Sequence, residues 1–166
     1  MNKRLAVAFT GPSNSGKTTL ITKVASSLIK SGKKVCIIKN DPKDKARFDT
    51  EGKDSYKFCE TGAEVVVTSP NKTTLLSRKH KELDEIIEMF GSFDILLVEG
   101  LKNLPLPRIS IFRNEIDYEY VPYMNALAID KTINPEHEEI PESIDLLDLN
   151  NTDQVIDWVL KNAKEV

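Results

Sequence analysis

Apolar positions in this 166-residue chain repeat with two different periods, and their alternation lays out a fold. Leu5-Ala6-Val7-Ala8-Phe9 is a continuous apolar run, the pattern of a strand buried on both faces. From Thr19-Leu20-Ile21 through Leu28 the apolar residues recur at helical spacing, and Gly32 marks the stop. Lys34-Val35-Cys36-Ile37-Ile38-Lys39 predicts a second strand. Residues 40–53 are polar, contain Pro42 and Gly52, and predict a loop. A short helix is expected from Asp54 to Thr61, ended by Gly62, and then a third strand from Ala63 to Thr68. Leu83, Ile86, Ile87 and Phe90 fall at helical spacing within 79–90, with Gly91 as the stop. Phe93 to Val98 is nearly all apolar, as a central strand should be.

The second half continues the alternation. Arg108 to Phe112 and Ala126 to Ile129 predict strands, separated by an acid- and tyrosine-rich irregular stretch over 114–124. Ile144 to Leu149 reads as a short strand or the approach to the last helix. Asn151 with Gln154 matches a capping box, and Val155, Ile156, Val159 and Leu160 line one helix face behind it. Strands alternating with helices predict an α/β fold around a mostly parallel sheet. No linker breaks the pattern, so residues 1–166 read as one domain.

The junction of the first strand and first helix carries the chemistry. Gly11-Pro12-Ser13-Asn14-Ser15-Gly16-Lys17-Thr18 satisfies G-x-x-x-x-G-K-[ST], the phosphate-binding P-loop, in the strand–loop–helix context that the motif requires. The fold expectation therefore sharpens to a three-layer P-loop NTPase. Glycines 11 and 16 let successive N–H groups turn inward, and the helix dipole adds positive potential at the same spot. Lys17 would reach the outer phosphates, and the Thr18 hydroxyl, with Thr19 beside it, would face a bridging Mg²⁺.

Catalysis on a nucleotide needs a second acidic group near the metal or the attacking water. Asp94-Ile95-Leu96-Leu97-Val98-Glu99-Gly100 carries four apolar residues through the sheet and delivers Glu99 at the carboxyl edge, where ligands bind in such folds. Asp41 and Asp49 lie in the loop after the second strand, and either could close over the metal or simply be solvated. Asp54 with Ser55 could cap the following helix. Asn71-Lys72-Thr73-Thr74 has half of a guanine-reading Asn-Lys-x-Asp motif, but after the third strand and without the aspartate, so it is read as a decoy. Asp130, directly behind the strand Ala126 to Ile129, stands where a carboxylate could accept from guanine, or could merely be a turn residue.

Composition narrows the partners. A formal charge of −3 gives no reason to expect nucleic acid or an anionic membrane surface. No apolar run approaches the roughly 20 residues of a membrane helix. Met1 to Leu5 runs straight into the first strand without a leader, so a cytoplasmic protein is expected. Cys36 and Cys59 are far apart without a C-x-x-C neighbour and read as reduced thiols.

Taken together these residues resemble the molybdopterin-guanine dinucleotide biosynthesis protein B family. The resemblance covers Gly11 to Thr19, Ile37-Ile38-Lys39, Phe48-Asp49, Gly52-Lys53-Asp54-Ser55-Tyr56, Thr61-Gly62-Ala63, Asp94 to Lys102, Ile111-Phe112-Arg113, Ala126 to Asp130 and Leu146 to Leu149. It implies a GTP-binding, weakly hydrolysing homodimer that assists the guanylyltransferase joining GMP to molybdopterin, with molybdopterin or its product within reach. By position it assigns phosphate binding to Gly11 through Thr19, catalysis to Lys17, Asp49 and Glu99, and Mg²⁺ to Thr18, Asp49 and Glu99. The chain departs from the family at Asn40-Asp41-Pro42-Lys43, where members often carry histidines, and at Phe58-Cys59-Glu60-Thr61, where basic residues are usual. Two other readings stand beside it: a nucleotide-binding module that never turns over, and a small-molecule or nucleoside kinase using ATP. A kinase of this fold closes arginines over the transferring phosphate, and here Arg4, Arg47, Arg78, Arg108 and Arg113 are scattered in sequence.

Overall fold

The computed structural model describes residues 3–166, so Met1 and Asn2, used in the reading of the N-terminus, lie outside it. In chain order the elements are β1 (Leu5–Thr10), α1 (Lys17–Lys30), β2 (Val35–Lys39), α2 (Asp54–Glu60), β3 (Val65–Ser69) and β4 (Lys72–Leu76). There follow α3 (Leu83–Phe90), β5 (Ile95–Glu99), β6 (Arg108–Phe112), β7 (Ala126–Ile129), β8 (Asp145–Asp148), α4 (Thr152–Asn162) and β9 (Lys164–Glu165). The contacts divide the chain into two units, one running to Asn40 and resuming at Ser92–Val166, the other spanning Asp41–Gly91.

The first unit is built on a sheet in the order β2-β5-β1-β6-β7-β8, with β9 alongside β1. All of these pairs are parallel except β1 with β9. Ala6 through Phe9 and Leu96 through Val98 are completely buried, which is why both runs are apolar without alternation. One face packs Val7, Phe9, Ile95, Leu97, Ile109 and Ile111 against Leu20, Val24 and Leu28 of α1 and Val155, Trp158 and Val159 of α4. On the other, Phe112, Leu127 and Ile129 are covered by Ile116, Met124, Ile133 and Ile144, supplied by irregular segments after β6 and β7. Fully burying each such side chain contributes about 1.5–3 kcal/mol. The Trp158 indole donates to Asp145 Oδ2 at 2.7 Å, joining α4 to β8.

Half of the expected capping box at α4 forms. Asn151 Oδ1 accepts from Gln154 N at 3.1 Å. Gln154 Oε1 instead accepts from Asp148 N at 2.8 Å, so the glutamine ties the helix to the end of β8.

In the second unit the third strand does not enter a parallel sheet. β3 pairs antiparallel with β4, Val66 opposite Leu75 and Ser69 opposite Lys72. Pro70 and Asn71 return the chain within two residues, a connection open only to antiparallel neighbours. The valine run looked like a buried strand, yet Val66 and Val67 are 58% and 42% exposed. α3 starts at Leu83 because Glu82 and Glu85 form a reciprocal capping box there. α2 starts at Asp54 with Lys53 in the cap position and no side-chain cap, so Asp54 and Ser55 do not play the capping role expected of them. Ser55 Oγ instead donates to Asp49 Oδ1 at 2.8 Å.

Candidate phosphate-binding site

β1 ends at Thr10 and α1 begins at Lys17, so the P-loop spans the carboxyl end of a fully buried strand and the N-terminus of a 14-residue helix. Each special backbone position has a local cause. Gly11 holds φ +141°, and a Cβ there would stand 2.3 Å from the carbonyl oxygen of Ile111. Gly16 holds φ +98° as the N-cap of α1, and Asn14 takes φ +64° between them. Asparagine is among the few residues that adopt this region readily. Pro12, Ser13 and Asn14 are exposed at the tip, and Thr18 and Thr19 are exposed on the first helical turn. Because Gly16 has no side chain, no side-chain cap serves the N–H groups of that turn. They remain directed out of the helix end, as an anion requires.

Lys17 curls back over the loop. Its ammonium donates to the carbonyls of Gly11 at 2.9 Å and Pro12 at 2.7 Å. Burial pushes its pKa below the usual lysine range; the Glu99 carboxylate opposes this, and Lys39 adds to it. Ser15 is buried beneath the loop, and its hydroxyl has no hydrogen-bond partner among the described residues.

Glu99 stands at the carboxyl end of β5, in register with Phe9 of β1 on one side and Lys39 of β2 on the other. Its side chain is 14% exposed and accepts from Lys39 Nζ at 3.1 Å. Gly100 turns away at φ +90°, its N–H bonded to the Phe9 carbonyl. Lys17 and Thr18 open α1 behind the end of β1, and Glu99 closes β5, the strand paired with β1. Thr18 and Glu99 offer the hard oxygen donors that suit Mg²⁺. Among the described residues no three His, Cys, Asp or Glu side chains gather as a metal cage, so a cation at these two would complete its shell from phosphate and water.

Asp49 belongs to the second unit. Its Oδ1 accepts from Thr50 N and from Ser55 Oγ, while Oδ2 is buried with no hydrogen-bond partner among the described residues. Asp41, in the same unit, uses Oδ2 to accept from Lys45 N and Ala46 N at 2.7 Å each, which folds its own turn.

Asp130 is already engaged. Oδ1 accepts from the backbone N–H and hydroxyl of Thr132, and Oδ2 lies 3.2 Å from Arg113 Nε. The Thr132 bonds, with Arg113 behind them, hold its carboxyl below the usual range. The carboxylate lines a cavity of about 630 Å³ at the ends of β7 and β8, together with Ile129, Lys131, Leu147 and Gln154. That volume lies within the roughly 300–1,000 Å³ of small-molecule sites.

Three neighbours of the predicted site residues escaped the sequence reading. Lys39 pairs with Glu99. Arg113 lies against Gly16, its guanidinium 3.4 Å from where a Cβ would stand. Arg108, 1% exposed, donates to the carbonyls of Gly100, Leu101 and Leu104 and holds the loop behind Glu99. A cation directly behind or inside an apolar strand was the available signal for the last two. Both thiols are free, and no helix among the described residues is long and apolar enough to cross a membrane.

Comparison with known proteins identifies the family. The family model for molybdopterin guanine dinucleotide synthesis protein B matches residues 6–131. The molybdopterin-guanine dinucleotide biosynthesis adapter protein of Haemophilus influenzae is 32% identical, over 96% of this chain and 90% of its own length. The protein of the same name from Escherichia coli is 29% identical, over 93% and 91% respectively. Among solved structures, Bacillus subtilis MobB superposes with a TM-score of 0.75 at 25% identity, covering 96% of this chain and 98% of that one. The chain therefore belongs to the molybdopterin guanine dinucleotide synthesis protein B family.

Proposed function

We propose that this chain is a nucleotide-binding adapter in the biosynthesis of molybdopterin guanine dinucleotide, a single domain over 1–166 that takes GTP with Mg²⁺ and hydrolyses it slowly. The observation that carries the nucleotide part is the uncapped N-terminus of α1 with Lys17 folded over the Gly11 and Pro12 carbonyls. The adapter part rests on the names borne by the relatives.

The nucleotide brings a phosphoanhydride bond, and Mg²⁺ would neutralise charge on its phosphates. The protein's share is positional. The N–H groups of Gly16, Lys17 and Thr18 would hold the phosphate chain, and Lys17 would exchange its two carbonyl partners for phosphate oxygens. Glu99, fixed by Lys39, would orient a water at the strand end. Asp49 is the further metal-side carboxylate by the family resemblance alone.

The partner is a molybdopterin guanylyltransferase, and the assembly is a homodimer. Supporting the dimer is the β3–β4 hairpin, a two-stranded sheet with Val66, Val67 and Leu75 exposed. Such a hairpin is marginal in water without cover and leaves pairing edges open. Sedimentation showing a strict monomer at all concentrations, with and without nucleotide, would count against this.

Calorimetric titration with GTP and with ATP, in Mg²⁺, tests the reading. Tighter binding of GTP, abolished in Lys17→Ala, is the expected result. Absence of binding by either nucleotide overturns the nucleotide-binding role. Equal or tighter ATP binding favours the kinase reading, to which Arg113 beside the P-loop lends its one structural argument.

A further inference from the structure

β6 lies beside β1, with Ser110 in register with Thr10 and their hydroxyls 2.9 Å apart across 100 residues of sequence. Residues just past β6 therefore stand beside residues just past β1, which are the P-loop. Arg113 is the first cation after β6, and its terminal guanidinium nitrogen sits against Gly16. A Cβ at position 16 would be in van der Waals contact with that guanidinium, whose nearest atoms lie 3.4–3.5 Å from it.

The arginine is held from behind. Asp130 Oδ2 faces Nε at 3.2 Å, an ion pair that leaves N–H groups of the terminal nitrogens available. Asp130 is itself fixed by Thr132 through Oδ1. The Thr132 hydroxyl also accepts from Asn114 N at 2.8 Å, so one short turn anchors both ends of the arginine. Asn114 takes φ +68°, reversing the chain directly behind Arg113. Among the described residues the terminal nitrogens make no hydrogen bond. Arg113 is thus a cation, 41% exposed on its side chain, whose guanidinium lies along Gly16 at the helix end with its terminal nitrogens unspent.

We infer that Arg113 contacts the phosphate chain of the bound nucleotide, and that Asp130 positions Arg113 instead of reading the base. This rests on the nucleotide-binding reading above and assigns one further residue to it. Oδ1 of Asp130 already accepts two bonds from Thr132 and Oδ2 is ion-paired with Arg113, so bidentate capture of guanine N–H groups would have to disturb both. Phosphates are common to every nucleoside triphosphate. The contribution of Arg113 is therefore blind to the base.

The experiment is calorimetric titration of GTP and ATP, with Mg²⁺, into the wild type, Arg113→Ala, Arg113→Lys, Asp130→Asn and the double variant Arg113→Ala/Asp130→Asn. Loss of a charge-assisted, forked contact weakens binding by about 10- to 100-fold, equally for GTP and ATP, in Arg113→Ala. Asp130→Asn falls in the same direction for both nucleotides, and the double variant is no weaker than Arg113→Ala alone. Arg113→Lys recovers part of the loss by charge without the fork. Thermal unfolding of each variant without ligand identifies any that fail to fold; Arg113→Lys then carries the test. Unchanged affinity in Arg113→Ala overturns the inference. So does an Asp130→Asn variant that loses GTP but keeps ATP, since that is a base reader. A wild type that binds neither nucleotide defeats the underlying reading and is told apart from both by the first titration.

Discussion

Substituting Gly11 by alanine puts a clash of known size into the P-loop, and its cost can be worked from two terms. The first is conformational. At φ +141° a residue with a Cβ is strained, at about 1–3 kcal/mol. The second is steric. The new methyl would stand 2.3 Å from the Ile111 carbonyl oxygen and 3.1 Å from Ser15 Oγ. The first neighbour is backbone, in the interior of a parallel sheet, and cannot swing aside. Overpacking of this kind costs about 1–3 kcal/mol. The sum, about 2–6 kcal/mol, is a large part of the roughly 5–15 kcal/mol that holds a domain folded. With a urea slope of about 2 kcal/mol/M, the unfolding midpoint should fall by about 1–3 M. Gly32→Ala is the control: its φ is +88°, but a Cβ there meets nothing within 4 Å, so only the conformational term applies. Urea melts of the two variants separate the terms by subtraction. If Gly11→Ala loses no more stability than Gly32→Ala, the packing of β6 against the P-loop is misassigned and the reasoning fails.

Other outcomes follow from single contacts. Arg108→Met should lower stability by about 2–4 kcal/mol, because three carbonyls lose a buried donor, and should raise proteolytic cutting within 100–107. Intact resistance to protease would show that the loop is held otherwise. Trp158→Phe should cost about 1–3 kcal/mol in a denaturant melt, through loss of the charge-assisted bond to Asp145 and some packing. Burial depresses the Lys17 pKa, so folding penalises its charged form. At low pH, where lysine is charged in both states, that penalty is present in full. Between the lowered pKa and the ordinary lysine value the unfolded chain binds more protons, so the penalty eases as pH rises. A phosphate beside Lys17 reverses the shift, and nucleotide binding in that alkaline window should take up a proton. Calorimetry in buffers of differing ionisation enthalpy measures this, and zero proton uptake would exclude Lys17 from the phosphate contact.

Several features were legible in one dimension. The runs at 5–9, 35–38, 95–98, 108–112 and 126–129 lie in strands, each too short for a helix and mostly apolar. The valine run of β3 obeyed the same rule locally and broke it globally, since its partner was the next strand and not the sheet. Gln154 was readable as a capping residue, but which N–H it would satisfy depended on the end of β8 lying nearby. Asp130 was picked out correctly as a residue at a strand end. Its engagement by Thr132 and Arg113 was hidden.

The division has a physical reason. The P-loop is eight consecutive residues whose glycines and following helix set its backbone geometry locally, so the amino-acid sequence determined that geometry outright. The groups around it are assembled by lateral pairing of parallel strands, each joined to the next by a long crossover. Strand order β2-β5-β1-β6-β7 brings Lys39 to Glu99, and Arg113 to Gly16 and Asp130, although the partners are far apart in sequence. No spacing rule along the chain encodes that order. It is set by which apolar faces bury against one another when the sheet closes on α1 and α4, and only the tertiary structure decided it.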